Sequence, residues 1–452
     1  MRVVTIGGRS TSLMNLANAL SSRFQQLGRV EDLEDAISSH HEALSLPPPG
    51  HPSHPSSLDN LAIALSARFE QLGRIEDLED AISFHREALA LCSFGHPLRF
   101  YSFMNLATAL FNRFKQLGRM EDLEDAISSH RKALTLHSPG HPMCSYSLMH
   151  LANALSARFE QLGKMEDLGD VISFQCEALS LHPPGHRDRS SSLHNLASAL
   201  STQFEQSGRM EDLEESFTLY KQAATDLSSS PRVCLVATIN WAAKARRYNH
   251  KSIICAYSLS FQILDHCLIS YPSLDSQQTF LATAQIPGSL ASDAASAAID
   301  SGDLEAAVEL LERGRVILWS KIEQYRHPLD QLHQVDRELA DLLQTLNVQC
   351  EHLSISSGSR LLDSEEPMVL PPLDVQMWRN HILSENWEKA VEQVRTIEGF
   401  NNFLQAVPFT TLQAAAADGP VILINISDYH SDAIILHINS PPLLHQENDL
   451  WS

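Results

Sequence analysis

The ten residues GRMEDLEDAI, Gly118 to Ile127, stand again as GRVEDLEDAI at Gly28 to Ile37 and as GRIEDLEDAI at Gly73 to Ile82. Working outward, Gly28, Gly73, Gly118, Gly163 and Gly208 lie 45 residues apart, with no insertion or deletion between them. A second ladder keeps the same register: the loop GHP recurs at Gly50, Gly95 and Gly140, and as GHR at Gly185. A fixed period of this size marks an array in which each unit buries its apolar face only against its neighbours.

Each unit shows helical spacing twice. Leu13, Leu16, Ala17, Leu20, Phe24 and Leu27 form one stripe, and Leu33, Ala36, Ile37 and Leu44 form a second after the glycine. The serines Ser12, Ser57, Ser102, Ser147 and Ser192 stand in register near the start of the first helix, helix A, and read as N-caps. The glycine that ends helix A reads as a left-handed stop. Helix B opens on acid, Glu31, Asp32, Glu34 and Asp35 in the first unit, where the helix dipole favours negative charge. The ten repeated residues therefore encode a helix stop, a tight turn and a helix start.

Alanines recur at Ala17, Ala36 and Ala43, at Ala62, Ala81 and Ala88, and at Ala107, Ala126 and Ala133, where small side chains let antiparallel helices approach closely. The pattern resembles the tetratricopeptide repeat. Asn15-Leu16-Ala17 matches that family's small residue after an N-L pair, and Ala36 with Ala43 matches its two alanines seven apart. The family unit is 34 residues. The longer unit here resembles the long-helix variants of kinesin light chains. The resemblance covers residues 10 to 227 and implies an all-α fold, a right-handed α-superhelix of helical hairpins.

The net charge of −22 over 452 residues argues against nucleic acid or an anionic membrane surface as partner. No apolar run of membrane-spanning length and no signal peptide is present, so a soluble, cytoplasmic protein is the expectation. Seven scattered cysteines without a C-x-x-C pair read as reduced packing residues. His51, His96, His141 and His186 invite a metal reading. Equivalent atoms one repeat apart are separated by roughly 10 Å or more, too far for a shared ion, so they are read as loop-stabilising and no metal or cofactor is assigned. The acidic helix starts hold nineteen of the 55 acidic residues and read as a solvated negative stripe that steers basic partners.

Beyond residue 227 helical hairpins continue to 353, with segments around Arg247-Tyr248-Asn249, a pair flanking Ser301-Gly302-Asp303, and one long helix from Leu329 to Leu353. Residues 354–372, rich in serine, proline and acid, read as a linker. Helices near 374–397 and 400–417 follow. VILINIS, Val421 to Ser427, and DAIILHI, Asp432 to Ile438, then alternate with period two and predict a short C-terminal β-hairpin. Two strands make no stable sheet alone, so these residues need helices to cover them.

The blocks from ASDAASAAIDSGDLEAAVELLERGRVILW, starting at Ala291, to GPVILINISDYHSDAIIL, starting at Gly419, look like the entry into a CHAT domain, the caspase-like module found after tetratricopeptide arrays. Fungal proteins of this build are similar along nearly the whole chain. The resemblance implies that residues 373–452 start such an α/β domain and leave it incomplete. In that family a histidine and a cysteine on later strands form a protease dyad. Cys350 precedes the domain and His430, His437 and His445 have no later cysteine, so no catalytic residue is assigned.

The favoured reading is a non-catalytic scaffold that binds a peptide or a helical segment of another protein, including basic segments, in a groove lined by helix A. The candidate groove residues are Asn15, Asn60, Asn105, His150 and Asn195, with Arg23, Arg68, Arg113 and Arg158. An asparagine can answer both a backbone donor and a backbone acceptor; the alternative is that it bonds the neighbouring repeat. A second reading is the sensor arm of a caspase-like protease, and a third is self-association through the first helix A.

Overall fold

The computed structural model describes residues 6–27, 29–47, 51–138, 140–226, 228–269, 280–281, 286–322, 328–355, 373–401, 403–404 and 407–446. Gly28 and Gly50 of the two glycine ladders, and the expected linker from residue 356, lie outside them.

The expected helix pairs are present. Five units follow in order: α1 (Ile6–Leu27) and α2 (Val30–Ser45), α3 (His54–Leu72) and α4 (Ile75–Leu91), α5 (Leu98–Leu117) and α6 (Met120–Leu134), α7 (Cys144–Leu162) and α8 (Met165–Ser180), α9 (Arg189–Ser207) and α10 (Met210–Ala224). The chain divides into two compact units, described separately. The first holds the described residues up to Pro183 with Ser198–Ser207 and Ile355; the second holds Pro184–Ala197, the described residues of Gly208–Ser354 and those from 373 onward.

In the first unit one packing scheme recurs. Phe24 with Leu33 and Ile37 packs on Leu61, Ala64 and Leu65 of the following helix A. Phe69, Leu78 and Ile82 do the same on Leu106, Ala109 and Leu110, and Phe114, Leu123 and Ile127 on Leu151, Ala154 and Leu155. Ala36, Ala81 and Ala126 are wholly buried, as the close approach of the helices requires.

Gly73, Gly118 and Gly163 take φ of 66°, 67° and 65°, and each N–H caps the phenylalanine carbonyl four residues back. Nothing lies within 4 Å of a Cβ added at Gly118. Gly118→Ala therefore meets only the left-handed backbone penalty, about 1–2 kcal/mol. Gly314 is the opposite case, because an added Cβ would lie 1.9 Å from Ala291 Cβ and 3.3 Å from Ala291 Cα across a helix pair. Gly314→Ala is expected to destabilise by about 1–3 kcal/mol through overpacking. Thermal melts of the two variants separate the causes: a larger residue at 118 adds little, whereas valine at 314 deepens the loss.

The serine caps are corrected. The A helices begin three to six residues before these serines, so Ser57 and Ser102 donate back to the carbonyls of Ser53 and Leu98 at 3.0 Å, and Ser12 to that of Gly8 at 2.8 Å. The capping atoms come from the loop histidines. Nδ1 of His51, His96, His141 and His186 accepts the N–H two residues on, at 3.3, 3.2, 3.2 and 3.2 Å. This is the loop-stabilising role read from the sequence.

The second unit continues with α11 (Pro231–Arg247), α12 (Ile253–Ile269), α13 (Leu290–Asp300), α14 (Leu304–Ile322), α15 (Pro328–Val335), α16 (Arg337–Ile355), α17 (Leu373–Arg395) and α18 (Phe409–Gln413) with a 3-10 turn Ala414–Ala416. The single helix expected from Leu329 to Leu353 is broken at Asp336, whose Oδ1 caps the Leu339 N–H at 3.0 Å. The apolar period runs through the break, because Leu329, Leu332, Ala340, Leu343 and Leu346 share one core with Val391 and Val394 of α17. The helix expected near 400–417 shrinks to α18 and its 3-10 turn.

A three-stranded antiparallel sheet replaces the expected hairpin: β1 (Val421–Ile426), β2 (Ser431–His437) and β3 (Ser440–Gln446), in the order β1-β2-β3. SPPLLHQ carries two prolines and so reads as a loop, yet it lies at a sheet edge, where a missing N–H is tolerated. The register shifts between Ile435 and His437, opposite those prolines. Helices α13 and α14 cover one face of the sheet. Asn425 donates to Ser296 Oγ at 2.9 Å and to the Ser292 carbonyl at 3.2 Å. Gln413 donates to the carbonyls of His437 and Ser440, both at 2.8 Å. The opposite face is left apolar and open, with Ile422, Ile424 and Ile426 60%, 71% and 71% exposed. Among the described residues no helix is long and apolar enough to cross a membrane.

Candidate functional site

In the first unit successive A helices are neighbours, which brings positions one repeat apart side by side. Asn60 Nδ2 donates to Asn18 Oδ1 at 3.4 Å. Asn60, Asn105 and His150 are all half-buried, whereas Asn15 is exposed. Asn195, half-buried, holds the same register in the second unit. Asn105 Nδ2 is buried and finds no acceptor.

His150 interrupts the asparagine ladder. Its ring lies 4.0 Å from that of Tyr146 and stacks at 5.9 Å on His130 of α6. Burial, aided by the Lys115 charge, pulls the His150 pKa down to about 4, so the ring is neutral at physiological pH. Burial also raises the Tyr146 phenol, against a hydrogen bond with Thr108, and it raises the Glu70 carboxyl against the pull of Lys115. The helix A face thus carries amides, the Tyr146 hydroxyl and the neutral His150 ring, with Glu70 and Lys115 near them.

The four arginines are engaged. Each binds, in two-pronged fashion, the helix B aspartate nine residues on: Arg23 with Asp32 at 2.7 and 2.5 Å, Arg68 with Asp77 at 2.9 and 2.6 Å, Arg113 with Asp122 at 2.8 and 2.5 Å, Arg158 with Asp167 at 2.9 and 2.6 Å. Arg158 also reaches Glu124 of the preceding unit at 2.8 Å. Each aspartate, hydrogen bond first, holds its arginine above the ordinary guanidinium range. The solvated acidic stripe is corrected accordingly: these four aspartates are only 3–4% exposed, while Glu31, Glu34 and Asp35 and their counterparts face solvent. The sequence signal was available in the constant nine-residue spacing of Arg and Asp. In the fifth unit glutamine stands at Gln203 and Asp212 turns to Arg209 at 3.1 Å instead.

Two constellations resemble catalytic groups. Asp59, His85 and Ser102 are 1%, 1% and 0% exposed, with His85 Nδ1 at 2.7 Å from Asp59 Oδ1 and the Ser102 hydroxyl bonded to Oδ2. The carboxylate stands between the other two, so the hydroxyl bonds the carboxylate rather than the imidazole, and the group, closed off from solvent, is a buried tie. Cys92 Sγ lies 3.9 Å from His96 Nδ1, a nitrogen already accepting the Leu98 N–H. Burial, with Asp59 adding, raises that thiol away from the reactive thiolate.

Parts of the array match a known repeat family. The tetratricopeptide repeat family profile matches residues 9–55, 56–97 and 189–224. Among solved structures, the nearly identical TPR-like repeats of a kinesin light chain described from Podosopora anserina are 19% identical. They cover 46% of this chain and 95% of their own, with a TM-score of 0.34. A single-substitution variant of that protein is 20% identical over 46% of this chain and 94% of its own, also at 0.34. No curated protein matches the chain.

Proposed function

We propose that the chain is a non-catalytic interaction scaffold whose helix A face in the first unit holds an extended peptide or a partner helix through Asn15, Asn60, Asn105 and His150. The carrying observation is the ladder of half-buried amides on this face, with the Asn105 amide donor lacking an acceptor. A buried donor without a partner costs about 1–3 kcal/mol, which a ligand carbonyl would recover once the amide turns toward it. The arginines hold the face in place from behind. The exposed glutamates of the helix B starts favour ligands with basic flanks. Peptides selected from a random library on the full chain test this. Asn60→Ala with Asn105→Ala is expected to weaken their binding by roughly tenfold while the chain stays folded by circular dichroism; selected peptides indifferent to both changes would sink the reading.

A second reading, the sensor arm of a caspase-like protease, draws on the open isoleucine face of the sheet, the kind of surface a further layer of an α/β domain covers. Peptidase activity in the isolated chain would contradict the scaffold reading.

A further inference from the structure

In the second unit a cavity of about 540 Å³ opens beside the turn between α11 and α12. The end of α11 and the turn after it contribute Arg246 and Lys251, and the first turn of α12 contributes Ile253 and Ile254. The end of α13 adds Ala297 and Asp300, and the β1–β2 turn adds Tyr429. The size suits a small organic molecule. Arg246 says most about which one. Its side chain is only 7% exposed, its guanidinium lies 4.1 Å from the centre of the Tyr429 ring, and its Nη1 donates to Asp300 Oδ2 at 2.6 Å. A guanidinium carries five N–H donors, and among the described residues Arg246 makes no second hydrogen bond. A charged group so deeply placed keeps unused donors at a cost in free energy, which an oxyanion against it would remove.

The neighbouring groups agree on the sign of the ligand. The N-terminal turn of α12 forms one wall, and the Ile254 N–H bonds to no carbonyl or side chain of the described residues. Such a helix end favours negative charge. With His250 counted as neutral, Arg246 and Lys251 against Asp300 leave the lining one net positive charge. That balance suits a monoanion, whereas a phosphate dianion would crowd the Asp300 carboxylate. Ile253, Ala297 and the Tyr429 ring supply apolar surface beside the charged groups. We propose that this cavity binds a small carboxylic acid with an apolar body. Its carboxylate meets Arg246, Lys251 and the start of α12, and its body lies along Ile253, Ala297 and Tyr429. The site is independent of the helix A face of the first unit.

Phenylacetate and hexanoate serve as probes, one with an aromatic and one with an aliphatic body. Titrated into the full chain and followed by calorimetry and ligand-observed saturation-transfer NMR, at least one of them is expected to bind saturably. Phenethylamine, which keeps the ring and reverses the charge, is expected not to bind. Lys251→Glu, at an exposed position, is expected to leave the circular dichroism spectrum unchanged and to weaken binding by roughly tenfold or more. Arg246→Met is expected to abolish binding. Should that variant fail to fold, Tyr429→Ala, at a residue 52% exposed, tests the same wall and is expected to weaken binding several-fold. Asn60→Ala with Asn105→Ala leaves the probes unaffected, which separates this site from the helix A face. Absence of saturable binding by both acids, equal binding of phenethylamine, or indifference to both Lys251→Glu and Tyr429→Ala overturns the proposal. Inorganic phosphate that displaces the bound acid at equal concentration assigns the cavity to phosphate and overturns it equally.

Discussion

Acidification below about pH 6.5 is expected to destabilise the repeat array progressively, with the buried histidines His40 and His130 acting in the same sense as His150. His40 and His130 are each 1% exposed on their B helices. Burial lowers His40 to about 4, with His41 adding a little, and it lowers His130 well below the ordinary 6.5, with His150 adding. A histidine with a depressed folded pKa binds a proton more readily when unfolded. Its contribution is complete above about pH 6.5 and is lost as pH falls toward the folded value, at about 1.4 kcal/mol per unit for each group. The chain supplies its own control, since Gln175 occupies the same register position in the fourth unit, also 1% exposed. His40→Gln with His130→Gln is expected to make the dependence shallower, with His150 supplying part of what remains. Urea titrations across this pH range check it, and equal slopes for wild type and variant would refute the assignment.

Removing one partner of an internal ion pair has a comparable effect by a different route. Asp122→Ala leaves Arg113, whose side chain is 15% exposed, without its two-pronged acceptor. Stranding a mostly buried charge costs roughly 3 kcal/mol or more. Arg113→Ala is expected to be costly as well, because the Asp122 side chain is only 6% exposed. Arg113→Leu combined with Asp122→Leu is expected to regain most of the loss, since replacing both charges removes the desolvation problem. Denaturant unfolding of the two single variants and the double variant checks this cycle. Losses that merely add would show that the two side chains act independently.

What the sequence made legible is what neighbours along the chain dictate. The glycine stops follow from a demand for positive φ at one residue, and the hairpin pairing follows from stripe spacing. The unread features depend on groups distant in the chain or on position in a sheet. Asp122 has the same sequence context as its solvated neighbours, and only the face it presents to helix A decides its burial. Asp336 sits within an unbroken apolar period, so the cap that splits α15 from α16 is invisible to spacing. Pro441 and Pro442 argue against a strand until β3 is known to be at an edge. In the candidate site the asparagine ladder is legible from its 45-residue recurrence, whereas the engagement of Arg23, Arg68, Arg113 and Arg158 depends on which helix B carboxylate turns toward each of them.

The sameness of the inter-unit interfaces bears on how such a chain can change over time. If one whole period were excised, joining Gly73 to Arg119, α3 would meet α6 on terms it already knows: Arg68 would find Asp122, Asp59 would find His130, and Ser147 would take the place of Ser102. No surface would be orphaned by the loss. The number of units is therefore free to drift by recombination in steps of 45 residues, lengthening or shortening the reach of the array while leaving every internal joint intact.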